Sequence, residues 1–526
     1  MPGIKTYLLC LLITIISSIL VLSITPHNIG TTPDSISYLD AAQNINAGNG
    51  LVSTNYVFGA DQEYTPFKIW PPLYPAILSV FPSIGKAPLF AAVQAAMFLL
   101  SLNCLLLFFI LRKTIGEIFS FFAVAVFLIS SPNLIITTYA WSESLFITML
   151  LFSILFSLNS YQAAEENKKN RLFVNLFLLS TALAGLFYTR YIGIVFGFIL
   201  PLTWLVTHDR IKYITAYIIS FLWFSILVIG FLYRNYLLGD VTGGDVLDKA
   251  RHASSFSIMD NTWAVLDSLY LLIPNNINLV VAILLASFVL VFVIKKFIAD
   301  KLLVPKANIS TEYIKYQVLL LAMIVVIYLG ALIVLRSITA FEEIRVRYIA
   351  VISPCLIMLM FIFFSFFMHS ISRSWKSFSL IVVNVAMFFL IAVQGVLVFK
   401  GTILNWKQYG TPNMTVTGSK TNIFYSHLTS QSNVAGLYRM LEKIGADSDD
   451  VIITEKPKLP AFVSGMKFRR LKGGINQESL EKLEKSNEKG FLLATQRQSK
   501  QAIRIFFSID EGYSYQPRVV SLPISR

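Results

Sequence analysis

A carboxylate, a second carboxylate and three arginines stand out as the groups of this chain that could do chemistry. Asp34 opens the run Asp34-Ser35-Ile36-Ser37-Tyr38-Leu39, inside a polar segment between two hydrophobic stretches. Glu143 lies in Tyr139-Ala140-Trp141-Ser142-Glu143-Ser144, at the mouth of another apolar stretch. Arg190, Arg234 and Arg347 sit at comparable boundaries, in Thr189-Arg190-Tyr191, Arg234-Asn235 and Arg345-Val346-Arg347-Tyr348. A positioned carboxylate can take the proton of a hydroxyl that is otherwise a poor nucleophile. An arginine fork donates two parallel hydrogen bonds to a phosphate.

Each residue also has a plainer reading. Asp34 suits a helix N-cap, and Asp40, farther along the same expected helix, is a spare acid or part of a solvated polar face. Glu143 could be a structural ion pair or a helix-start charge, because a carboxylate at that depth is costly unless it faces a partner or a polar cavity. Boundary arginines often snorkel to lipid headgroups. Asp34 and Glu143 together would be two acids from separate loops facing one cavity.

The elements that carry these groups are mostly membrane spans. The chain has 526 residues, 56% hydrophobic and 14% charged, with a mean hydropathy of +0.67. Apolar runs of bilayer length fall near 7–24, 88–111, 117–131, 142–159, 172–188, 190–207, 212–233, 277–299, 315–336, 347–368 and 377–399, eleven in all. With the N-terminus inside, fifteen lysines and arginines fall in inner loops and nine in outer loops, the tail excluded. This follows the positive-inside rule. The formal charge of +14 then needs no nucleic-acid partner. The first span lacks a clean cleavage site and suits an uncleaved anchor. Cys10, Cys104 and Cys355 all fall within spans, so no disulfide framework or metal spacing follows.

In the first outer loop, 25–87, Ile36, Leu39, Ala42 and Ile45 before Gly48 predict an amphipathic helix along the interface. Tyr64, Phe67, Trp70 and Tyr74 supply aromatics for headgroup level. The stretch Trp70-Pro71-Pro72 re-aims the chain before the next span. From 401 to 526 the composition turns polar, with helical signals at 434–444 and 478–488 and extended ones at 451–454 and 491–494. The expected architecture is mainly α: a polytopic membrane domain over 1–400, with amphipathic helices in its first outer loop, and a small extracytoplasmic α/β domain over 401–526.

No Gly-rich nucleotide loop occurs, the five histidines are scattered, and Asp447-Ser448-Asp449 reads as a solvated turn. A transporter or flippase of a lipid-linked glycan would show inverted repeats and broken spans; the sequence has no repeat and keeps its charges at span ends. An envelope assembly protein that recruits partners through its tail is a third reading.

The ordered set Asp34-Ser35 with Tyr38-Leu39, Gly48-Asn49-Gly50, Trp70-Pro71-Pro72-Leu73-Tyr74-Pro75, Ser142-Glu143-Ser144, Thr189-Arg190-Tyr191, Arg234-Asn235 and Arg347-Tyr348 resembles the GT-C integral-membrane glycosyltransferases. The likeness is to the bacterial branch of protein mannosyltransferases and the lipid A aminoarabinose transferase, over about residues 1–360. It implies a multi-pass protein of the bacterial inner membrane that moves a sugar from a polyprenyl-phosphate donor to a glycan, lipid or protein acceptor on the outer face. Asp34 matches the family's general base, and on residue chemistry Glu143 is expected to orient the acceptor or donor. Arg190, Arg234 and Arg347 become phosphate-site candidates, and Tyr38, Trp70, Tyr74 and Tyr191 substrate contacts. No cofactor follows beyond the donor lipid. A divalent metal stays open, although Ser35 stands where the mannosyltransferases have a second acid.

Overall fold

The computed structural model describes residues 4–25, 29–54, 64–208, 210–239, 258–270, 310–338 and 346–370, together with five strands between 451 and 521. The spans expected at 277–299 and 377–399, and the helices expected at 434–444 and 478–488, lie outside the described residues.

In chain order the elements are α1 (Ile4–Ile24), α2 (Pro33–Asn46), β1 (Val52–Thr54), β2 (Tyr64–Pro66), α3 (Leu73–Ser79), α4 (Pro88–Ile115), α5 (Glu117–Ile129), α6 (Ser131–Thr137), α7 (Glu143–Glu165) and α8 (Lys169–Thr189). A 3-10 helix (Tyr191–Phe198) leads into α9 (Ile199–Val206), and a shorter one (Arg210–Tyr213) into α10 (Ile214–Leu237). Then follow α11 (Ile258–Tyr270), α12 (Thr311–Ile338), α13 (Val346–Ala350), α14 (Ser353–Ser370), β3 (Val451–Thr454), β4 (Lys467–Arg470), β5 (Gly490–Thr495), β6 (Ile503–Ile509) and β7 (Pro517–Ser521). Among the described residues six helices are long and apolar enough to cross a membrane, and three shorter apolar ones accompany them.

The chain divides into two compact units. One comprises Met1–Ile24, Lys68–Tyr74 and Ala95–Lys407; the other Thr25–Phe67, Pro75–Gln94 and Gln408–Arg526.

In the first unit the antiparallel pair α7–α8 is the central feature. Its turn is only three residues long, with Asn167 in the left-handed region at φ 55, a conformation that asparagine tolerates. The two helices approach closely at Gly185, where a Cβ would lie 2.8 Å from Met149 Sδ. Without water to exclude, helices in lipid associate through such close packing and through polar contacts. Asn103 of α4 is one of these: it donates to the Ser144 carbonyl at 3.0 Å and accepts from Thr148 at 2.7 Å. Ser157 of α7, Thr203 of α9 and Tyr316 of α12 form a second, with hydroxyl separations of 2.5 to 2.9 Å.

Three expected spans differ in form. The 190–207 stretch begins as a 3-10 helix. Gly193 there is pressed on α8, so that a Cβ would meet the Leu186 carbonyl carbon at 2.3 Å. The 347–368 stretch is split into α13 and α14, because Pro354 lacks the N–H that a continuous helix would use. The third, α5, has 13 residues, about 20 Å at 1.5 Å per residue, short of a full bilayer core.

In the second unit α2 is capped two residues earlier than the carboxylate suggested. Thr32 is the N-cap, accepting from Ser35 N, and Pro33 takes the first helical position, where its missing N–H costs nothing. Asp34 is therefore a first-turn residue, not the cap. The helix ends as expected, with Gly48 at φ +83. It is not a one-sided interfacial helix: every residue from 35 to 42 is buried. Asp40, expected on a solvated face, is buried and bonds Thr54 through both N–H (2.9 Å) and hydroxyl (2.6 Å). It thereby fastens the β1–β2 hairpin, which hydrophobic patterning did not reveal. The tail strands form a sheet in the order β4-β3-β5-β6-β7, parallel between β4, β3 and β5 and antiparallel thereafter. Two of them coincide with the extended segments expected at 451–454 and 491–494.

Gly193→Ala should destabilise the protein by about 1–3 kcal/mol, the usual range for overpacking. A lowered melting temperature of the detergent-solubilised protein is the readout, with Gly230→Ala, where nothing lies within 4 Å of the new Cβ, left nearly unchanged.

Candidate active site

The near-equal lengths of α7 and α8 dictate the heart of the site. With 23 and 21 residues across a tight turn, the first residue of α7 and the residue after α8 must return to the same end of the bundle. Those residues are Glu143 and Arg190. At Arg190 the backbone is extended, φ −151 and ψ 134, which breaks the helix and frees the side chain to turn inward. Arg190 Nη1 donates to Glu143 Oε1.

The same carboxylate oxygen lies 3.9 Å from Arg347 Nε, at the start of α13. Glu143 is only 2% exposed, with the arginines at 15% and 13%. A carboxylate this deep needs paired cations, since its desolvation would otherwise dominate. Its position in the first turn of α7 adds the favourable end of the helix dipole.

Aromatic rings hold the cations. Arg347 lies between Trp141 and Tyr348, its Cζ 5.2 Å and 4.8 Å from the ring centres. Its Nη2 also donates to the Tyr348 hydroxyl at 2.8 Å. Arg190 packs over the same tyrosine at 5.5 Å. Tyr139 stacks on Trp141 at 4.3 Å with planes 10° apart. Burial pushes the Tyr139 phenol up, so it serves as a neutral face. The Tyr348 carbonyl accepts from Tyr328 of α12 at 3.1 Å, which ties α13 to the bundle. Tyr139, Trp141 and Tyr348 were not singled out as site residues, although the motifs that contain them were. The missing signal was contact between α13 and the turn before α7, which no spacing encodes.

Arg234 stands in an adjoining cluster. It donates to Asn235 at 2.8 Å and lies 5.8 Å from the Phe231 ring centre. Tyr191 packs on Phe231 at 6.5 Å, and its hydroxyl donates to the Lys68 carbonyl at 3.0 Å. Lys68 in turn donates to Leu238 at 3.1 Å. Trp70, two residues from Lys68, is partly exposed. Tyr74 and Tyr38, expected to touch substrate, are instead core residues, 2% and 3% exposed; so is Phe67, expected at headgroup level. Asp34 is half-buried in the second unit. Ser35 is fully buried, with its hydroxyl 3.1 Å from that of Thr32. The residue beside Asp34 is thus engaged at the helix cap, and the pair does not fit a metal held by adjacent acids. A cavity of about 560 Å³ lined by Leu205, Thr207, Arg210, Ile211 and Lys212 opens at the other end of α10 from Arg234 and contains none of the predicted site residues.

Comparison with solved structures identifies the architecture. ArnT from Cupriavidus metallidurans, in a crystal structure bound to undecaprenyl phosphate, matches with a TM-score of 0.55 at 10% identity, over 95% of this chain and 96% of that one. Its apo structure matches with a TM-score of 0.56 at 11% identity, over 97% of each chain. The chain shares the fold of these ArnT structures. No protein-family model and no curated protein sequence matches this chain.

Glu143→Ala removes the carboxylate that both guanidiniums share, and breaking a buried pair costs about 3–5 kcal/mol. Glu166→Ala, at a pair with exposed Lys168 and Arg171, should cost about 0–1 kcal/mol. Thermal unfolding of the two variants side by side checks the contrast.

Proposed function

We propose that this protein is a membrane glycosyltransferase that moves a sugar from a polyprenyl-phosphate donor to an acceptor on the outer face, with inversion at the anomeric carbon. The observation that carries the reading is the buried Glu143–Arg190–Arg347 cluster at the mouth of a bundle whose fold is that of ArnT. The undecaprenyl phosphate of that neighbour supports a polyprenyl lipid as the ligand here.

In this reading Asp34 takes the proton of the acceptor hydroxyl as its oxygen bonds the anomeric carbon. The bond from that carbon to the phosphate oxygen breaks, and its electron pair stays on the phosphate. Arg190, Arg347 and Arg234 stabilise the charge that develops there, an effect strengthened where water is excluded. Glu143 orients the two nearer arginines. Tyr191 and Trp70 are substrate contacts in this reading. The topology that suits this chemistry has the N-terminus inside and the tail, over about 401–526, outside the inner membrane.

Asp34→Asn should lower transfer by about 10²–10⁴-fold with the folded protein unchanged in amount. Deletion of the chain from its source cell should remove one sugar from an envelope glycan. Wild type should restore it and Asp34→Asn should not, as read by mass spectrometry. Full restoration by Asp34→Asn would discard the base assignment, and loss of the whole surface polymer on deletion would favour a flippase.

A further inference from the structure

The carboxylate between the two arginines bears on which phosphate this end of the bundle prefers. The donor in the proposed reaction is a phosphodiester with one negative charge. Transfer leaves a phosphomonoester, whose second ionisation near pH 6 brings it to about −1.5 to −2 at neutral pH. An arginine pair with no nearby acid would hold that product more tightly than the donor and slow each turnover.

Resting on the reading above, we infer that Glu143 is the specificity-determining residue of the phosphate site: it cancels one unit of arginine charge and so favours the monoanionic diester over the dianionic product. Three features of the geometry carry this. Glu143 contacts Arg190 and approaches Arg347 through one oxygen, so a single acid offsets both. It is buried, where its field is weakly screened by salt. Arg347 is clasped between Trp141 and Tyr348, so its guanidinium keeps its place beside the acid when a lipid phosphate arrives. The effect of Glu143 is a difference between ligands of unlike charge, and other charges nearby shift both ligands without erasing it.

The test uses the full chain in phosphatidylcholine nanodiscs and two non-reacting probes, undecaprenyl phosphate and its methyl phosphodiester, at pH 8. The quantity read is the ratio of their dissociation constants, which does not depend on the folded fraction. Glu143→Gln should shift the ratio toward the monoester by at least about tenfold, as expected for a unit charge a few ångströms away at an effective dielectric near 20. Glu143→Asp, which retains the charge, should stay near the wild-type ratio. Arg347→Gln should move the ratio the other way, and if Glu143→Gln alone does not fold, the double variant Glu143→Gln/Arg347→Gln should move it back toward the monoester relative to Arg347→Gln. A ratio unmoved by removal of the Glu143 charge overturns the role of Glu143 and leaves the polyprenyl-phosphate reading standing. A wild type that binds neither lipid removes that reading, and the inference with it.

Discussion

A carboxylate buried at the end of an apolar helical bundle must be matched by cations, and much of the first unit is arranged around that requirement. Glu143 begins α7, so the matching charge has to arrive at the same end. The α8 helix brings it there, returning over nearly the same length to deliver Arg190. The second cation arrives from far along the sequence, on α13, which follows the return of α12. Shifting either helix by one residue would turn its end by about 100° around the axis and move the cation away from the acid. Helix length, turn geometry and the pairing of charge are one constraint.

The irregular elements near this end have related causes. Between Arg190 and the α9 helix, Gly193 is pressed against the α8 backbone, a contact closed to any residue with a Cβ. The chain continues as a 3-10 helix over the next residues and presents Tyr191 toward Lys68. Flat rings then do what further carboxylates would do at greater cost. Trp141 and Tyr348 present π faces to Arg347, which attracts the cation without adding a second buried anion.

The second unit shows a parallel use of a buried acid with a different outcome. Asp40 spends its oxygens on Thr54 N–H and hydroxyl, with Asn44 beside it at 3.4 Å. That commitment makes it a scaffold residue that locks a helix to a hairpin. Asp34, six residues earlier, is in the first turn of the same helix. Chain position alone does not distinguish the buried, committed Asp40 from the half-buried Asp34.

Long apolar runs made the membrane helices legible, because a bilayer sets the length of a span and lipid leaves the backbone no partner but itself. The helix stop at Gly48 and the extended segments at 451–454 and 491–494 were legible for local reasons of backbone freedom and strand pattern. That Glu143 needs a partner could also be read, since charge at such a depth demands one. Which arginine meets Glu143, that Trp141 and Tyr348 clasp Arg347, and that Tyr38, Tyr74 and Asp40 are core groups were decided by tertiary structure alone. Local sequence sets how a segment can fold on itself. Contacts between segments some two hundred residues apart depend on helix lengths and break points acting together, and no window of neighbouring residues holds that information.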